Sequence, residues 1–206
     1  MKKEKRKKET RVVNVKKLAI TRDAETNNPK ISGYAAVFNS DSENLGGFIE
    51  RIKPGAFKRA LKKSDARALF NHDSNFVLGR QSAGTLKLKE DKNGLHMEID
   101  PPDTQFARDL MVSIERGDIR EQSFGFTVSG EEWADTDKDV AKRTITEVAE
   151  LFDTSIVTYP AYPDTDVALR SLEKIKQDAA TGASDKKGAT ARNLQLQAQA
   201  TILIRS

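Results

Sequence analysis

Three short stretches hold side chains that could do covalent chemistry together. They are Leu69-Phe70-Asn71-His72-Asp73, Gln122-Ser123-Phe124-Gly125-Phe126 and Leu151-Phe152-Asp153-Thr154-Ser155. Each sets its reactive residues among apolar, strand-like neighbours. A serine hydroxyl is a weak nucleophile until a base removes its proton. The base works best when a third group holds its tautomer and stabilises the imidazolium that forms. The three stretches supply one histidine, one serine and one carboxylate, the set that acyl transfer to water requires. Their order along the chain is His72, Ser123, Asp153. None of the chymotrypsin, subtilisin or α/β-hydrolase arrangements has that order, and Ser123 does not sit in a G-x-S-x-G elbow.

Composition narrows the alternatives. There is no cysteine among the 206 residues, which excludes disulfides, thiolate metal sites and cysteine-protease chemistry. Two histidines do not make a His-rich metal centre. Hydrophobic content of 37% and charged content of 32% describe a soluble globular chain with a polar bias. No apolar run approaches the roughly 18 residues that cross a membrane, and none follows the basic N-terminus to serve as a signal-peptide core. With cysteine absent, the reducing cytosol is the simplest compartment.

The net charge of +4 is unevenly spread: residues 1–20 carry nine Lys/Arg against two Glu, or +7, leaving 4 − 7 = −3 for the remainder. Residues 1–17 are therefore expected to form a basic flexible tail on a mildly acidic body. Specific nucleic-acid binding is not expected, because no recognition motif and no basic, aromatic-interleaved strand accompanies the tail.

The reactive stretches must be positioned by the elements around them. Ile31–Phe38 reads as a strand, and Asn39–Gly47 as a loop. Pro54 and Gly55 open a short helix in which Ala56, Phe57, Ala60 and Leu61 share a face. Ala66–Phe70 is a strand ending at His72. Gly84–Lys89 and Leu95–Ile99 alternate on either side of the turn Asp91-Lys92-Asn93-Gly94, a hairpin signature. Asp103 or Thr104 caps a helix with inner face Phe106, Ala107, Leu110, Met111 and Ile114, closed by Gly117. Ser123–Trp133 puts Phe124, Phe126 and Val128 on one face and Ser123, Gly125 and Thr127 on the other. Lys142–Tyr159 returns as a long, bent strand stopped by Pro160 and Pro163, and Val167–Gln177 is helical. The domain is expected to span residues 18–174, with residues 175–206 a flexible C-terminal tail rich in Ala, Gly, Ser and Gln. This pattern predicts a mainly β, α+β fold closed as a single antiparallel barrel or curled sheet.

Read together, these stretches resemble the HK97-type prohead proteases of tailed bacteriophages. The matching pieces are Gly33-Tyr34-Ala35-Ala36-Val37-Phe38, Pro54-Gly55-Ala56-Phe57, Asn71-His72-Asp73, Leu78-Gly79-Arg80, Gly84-Thr85-Leu86, Gly94-Leu95, Gly117-Asp118-Ile119, Ser123-Phe124-Gly125-Phe126 and Ser155-Ile156-Val157-Thr158-Tyr159-Pro160-Ala161. They run in order through residues 30–168. The resemblance implies a β-barrel akin to the herpesvirus assemblins and a serine endopeptidase that trims major capsid or scaffold protein, and itself, inside the assembling prohead in the host cytoplasm. It carries His72 and Ser123 over as catalytic His and Ser. It implies no metal or organic cofactor and no membrane partner, and kinship with the assemblins suggests a homodimer.

The related herpesvirus enzymes use a second histidine as third member, but no histidine follows Ser123 here. A carboxylate must substitute, and the candidates are Asp153, Glu150 and Glu147. Pairing about a turn near Lys138 puts Ser123 opposite Phe152 or Asp153. Parity sets Glu147 and Asp153 on one face and Glu150 on the other. Asp153 is favoured and Glu150 comes second; each could instead be an edge charge on a solvated strand. His96, between Leu95 and Met97, reads as an exposed strand residue, Ser155 as a second serine of weaker motif, and Tyr34, Phe38, Phe124 and Phe126 as core aromatics. Arg80 could contact substrate or structure. The competing function is a non-catalytic capsid-assembly or scaffolding protein on the same fold.

Overall fold

In the computed structural model, which describes residues 7–13, 18–159 and 168–178, the longest alternating runs become the longest strands. These are β9 (Glu121–Ala134) and β10 (Ala141–Val157), and they pair antiparallel along nearly their whole length. Because β10 is so long, its other edge takes two strands in succession. One is β4 (Phe48–Ile52), against residues 141–145, and the other is β5 (Arg67–Phe70), against residues 153–156. β6 (Asp73–Arg80) adds to β5, and β1 (Glu9–Val13) adds to the free edge of β9. A second sheet has the order β2 (Ala19–Arg22), β3 (Pro29–Val37), β8 (Gly94–Ile99), β7 (Leu86–Glu90).

The hydrophobic core lies where the two sheets and two helices meet. Ile31 and Ala35 of β3, Leu95, Met97 and Ile99 of β8, and Phe124 and Phe126 of β9 are all buried there. Helix α1 (Lys58–Lys63) contributes Ala60, and α2 (Gln105–Arg116) contributes Ala107, Leu110 and Ile114. The caps of α2 are as expected: the Ala107 N–H donates to Thr104 Oγ1 at 3.3 Å, and Gly117 takes the left-handed conformation at φ 80°. Residues 168–178 are helical and pack Ala168 and Leu172 against Phe48 and Ala141.

Three expectations need correction. The fold is mainly β with a few helices, but the described strands form two sheets and no closed barrel. The larger sheet is mixed, since β4 and β5 run parallel to β10. Parallel partners some 90 residues apart in sequence leave no local signature, whereas hairpins do. The basic N-terminal segment, read as flexible through residue 17, contributes strand β1. Tyr34, read as core, is only half-buried on β3, and its hydroxyl donates to Asp91 at 2.6 Å. The expectations for residues 1–6, 14–17, 160–167 and 179–206, including Pro160, Pro163 and most of the C-terminal tail, lie outside the described residues. Among those described, no helix is long and apolar enough to cross a membrane.

A buried ionic cluster holds β1. The Arg143 guanidinium, wholly enclosed, donates from Nη1 to Glu9 at 2.7 Å and Glu50 at 2.6 Å, and from Nε to Glu131 at 2.7 Å. Arg11 donates to Glu9 at 2.6 Å and Glu50 at 2.8 Å. Four strands, β1, β4, β9 and β10, are thereby tied through two guanidinium groups and three carboxylates. Removing one partner from such a cluster leaves uncompensated buried charge, which costs about 3–5 kcal/mol. Arg143→Met should lower the stability measured by urea unfolding by about that amount.

Candidate active site

His72, Ser123 and Asp153 form one hydrogen-bonded line. Ser123 Oγ lies 2.7 Å from His72 Nε2, and His72 Nδ1 lies 2.5 Å from Asp153 Oδ1. Asp153 Oδ2, on the other side of the carboxylate, accepts from Lys8 Nζ at 2.7 Å. Ser155 Oγ donates to Asp153 Oδ1 at 2.9 Å and stands 3.2 Å from His72 Nδ1. Ser123 is 0% exposed and Asp153 2%, whereas the His72 side chain keeps 19%.

Each position follows from local structure. Ser123 pairs with Ser155, and Gly125 with Asp153, so all four share one face of the β9–β10 ribbon. His72 comes from a different element, the two-residue turn Asn71-His72 that joins β5 to β6. Both turn residues have positive φ, 50° and 58°, as a primed hairpin turn requires. Asn71 anchors the turn to the end of β10. Its backbone N–H donates to the Ile156 carbonyl at 2.9 Å, and its Oδ1 accepts from the Thr158 N–H at 2.9 Å. Gly125 leaves the room that the carboxylate needs: a Cβ there would lie 2.5 Å from Asp153 Oδ2 and 2.3 Å from Lys8 Cε.

The electrostatics favour an ionised acid. Burial pushes the Asp153 carboxyl up, but hydrogen bonds from His72 and Lys8, with their charge, outweigh it and hold the group below the ordinary carboxylate range. Nδ1–H donating to Asp153 leaves the Nε2 lone pair facing the Ser123 hydroxyl, the tautomer in which an imidazole can accept the serine proton.

The other candidates are elsewhere. Glu147 binds Arg59 at 2.6 Å and Ser129 at 2.9 Å, and Glu150 is exposed; neither reaches His72. His96 is half-buried on β8 and bonded to Ser32 Oγ at 3.1 Å, away from the site. Arg80 pairs with Asp65. Ser155, set aside as a second serine, belongs to the network, and Lys8 had no part in the expected site. Its position in a run of lysines gave no sign of a partner. Among the described residues, no group of three or more His, Asp or Glu could hold a metal ion.

Residues 16–178 match the family described as caudovirus prohead serine protease. The chain belongs to that family. No curated protein sequence matches it. Among solved structures, the bacteriophage T4 capsid assembly protease is a distant likeness, with TM-score 0.46 and 11% identity over 73% of this chain and 99% of that one. The span that matches the prohead protease family includes His72, Ser123 and Asp153 but begins after β1.

Two outcomes follow for this member of the prohead protease family. Gly125→Ala should displace the Asp153 carboxylate and lower peptidase activity by about 10²-fold, with the thermal midpoint measured alongside to show that the fold survives. The lowered Asp153 carboxyl contributes stability that is complete above the ordinary carboxylate pKa of about 3.9 and lost as pH falls through its folded value. The stability advantage of wild type over Asp153→Asn, measured by urea unfolding, should therefore narrow steadily from pH ~4 downward.

Proposed function

We propose that the protein is a serine endopeptidase in which Ser123 is the nucleophile, His72 the general base and Asp153 the group that orients His72. The observation that carries this reading is the unbroken line from Ser123 Oγ through the imidazole to Asp153 Oδ1, at 2.7 and 2.5 Å. Ser123 Oγ attacks the peptide carbonyl carbon as its proton passes to Nε2. That proton then goes to the departing amine, leaving an acyl-enzyme. A water molecule, deprotonated by the same nitrogen, attacks the ester, and the proton returns to Ser123 as the acid product leaves. Asp153 stays ionised throughout and stabilises each imidazolium.

Ser123 is fully enclosed in this conformation. A peptide therefore reaches Oγ only after a local rearrangement, which suits an enzyme held at rest until its substrate is packed around it. The family points to capsid or scaffold proteins of the assembling prohead as substrates, with self-cleavage as a second target. The narrower placement beside the HK97-type enzymes rests on the nine motifs in register, and a fold relation to the assemblins and a homodimer rest on that placement. The scaffolding alternative is weaker, because a non-catalytic descendant has no reason to hold a buried carboxylate, an imidazole and a hydroxyl in line.

Intact-mass measurement over time, with the co-expressed capsid protein present, tests the reading. Wild type should produce truncated species and Ser123→Ala none, with cleavage unaffected by EDTA. Asp153→Asn should lose on the order of 10⁴-fold, as expected when the base is left in the wrong tautomer, while Glu150→Gln should retain wild-type rate. Equal cleavage by Ser123→Ala would sink the assignment.

A further inference from the structure

The carboxylate of Asp153 has two oxygens, and His72 uses one. The other is met by Lys8 Nζ at 2.7 Å, from a segment outside the span that matches the family. Three features fix that ammonium in place. β1 pairs with the nucleophile strand so that Val12 lies opposite Ser123 and Thr10 opposite Gly125, which directs Lys8 to the same face as both. Glu9 and Arg11, on the opposite face, are locked into the buried ionic cluster. Gly125 provides the passage, since a Cβ there would lie 2.8 Å from Lys8 Nζ as well as 2.5 Å from Asp153 Oδ2. Nζ also stands 5.6 Å from the centroid of the Phe152 ring, within the range of a cation–π contact.

We propose that Lys8, delivered by β1, is a positioning residue of the active site: it clamps Asp153 Oδ2 so that Oδ1 stays aligned with His72 Nδ1. The N-terminal strand is thereby part of the catalytic apparatus. This rests on the Ser123–His72–Asp153 reading. The physical reason is torsional. A carboxylate bonded at one oxygen can rotate about χ2, a broad torsion, whereas one bonded at both oxygens from opposite sides cannot rotate without breaking a charge-assisted bond. Half of the Lys8 side chain is out in solvent, with 44% exposure, so replacing it removes the clamp without opening a cavity.

The test uses the full chain. In a Ser123→Ala background, which prevents self-cleavage, the low-field proton resonance of His72 Nδ1–H reports the bond to Asp153. Rates come from catalytically competent chains acting on Ser123→Ala chains as substrate, followed by intact mass. Lys8→Met should weaken or abolish the resonance and lower kcat by about 10²-fold with little change in KM, while Lys8→Arg restores both. A Lys8→Met chain that loses thermal stability yet keeps the resonance and kcat of its parent has only a structural lysine, and the proposal falls. A resonance unchanged by Asp153→Asn, or cleavage that survives Ser123→Ala, overturns the triad itself and is distinguishable from failure at Lys8 alone.

Discussion

Hydrogen bonding between β9 and β10 starts with Ala134 opposite Lys142 and reaches Ser123 opposite Ser155. Over that length β10 uses two more residues than β9, absorbed by irregularities between Ile145 and Asp153. The number matters because side chains alternate with a period of two. A slip of one residue would have turned Asp153 to the core side, beside Phe124 and Phe126, and left the imidazole with no acid. A slip of two keeps Asp153 and Ser123 on one face and moves Asp153 from opposite Ser123 to opposite Gly125, the one residue on that stretch of β9 with no side chain to obstruct a carboxylate. The bulges also bend the ribbon, so curvature of the sheet and placement of the acid share a cause.

A buried carboxylate needs compensating charge, and the structure provides it from both directions. His72 reaches Asp153 from the β5–β6 turn and Lys8 reaches it from β1. On the other face of the same strands, Arg11 and Arg143 compensate Glu9, Glu50 and Glu131. The two arrangements are linked through β1, which supplies Lys8 to one and Glu9 and Arg11 to the other. The ionic cluster is a costly way to hold a strand compared with apolar packing, but it determines register: Glu9 and Arg11 meet their partners in one alignment only, and that alignment delivers Lys8.

Much of this was legible in the sequence where structure is local. The β7–β8 hairpin, the caps of α2 and the two faces of β9 could be read from alternation and turn chemistry, because each is set by residues within a dozen positions of one another. His72, Ser123 and Asp153 were legible as residue types flanked by apolar strand. The bulges were not, since Thr146, Ala149 and Phe152 carry no mark that distinguishes a residue left out of the ladder from its neighbours. The expected pairing of Ser123 with Phe152 or Asp153 therefore missed by two or three residues, the partner being Ser155. β4 and β1 escaped notice for a related reason. Phe48–Ile52 is short and mixed, and Glu9–Val13 follows a run of lysines; both are strands because of partners far away, across an ionic cluster whose charges looked like solvated surface.

The proposed base, His72, stands on a turn, while the proposed nucleophile and acid, Ser123 and Asp153, stand on strands, and the strand order accounts for it. β10 lies between β5 and β9, so a side chain arriving from β5 must cross two inter-strand spacings, ~10 Å, to reach Ser123. A residue within β5 stands perpendicular to the sheet and cannot lean that far. A residue in the turn beyond it can, provided the backbone curls back, and positive φ at Asn71 and His72 produces that curl. Glycine would adopt the conformation without strain, whereas a residue with a Cβ accepts roughly 1–2 kcal/mol. The strain is retained at the position proposed to carry the base. The ring must also pass over β10, and the residue beneath it is Ser155, 3.2 Å from Nδ1. A larger side chain there would lift the imidazole off the sheet and away from both partners, so a small hydroxyl residue at 155 is as much a condition of the site as the three residues in line.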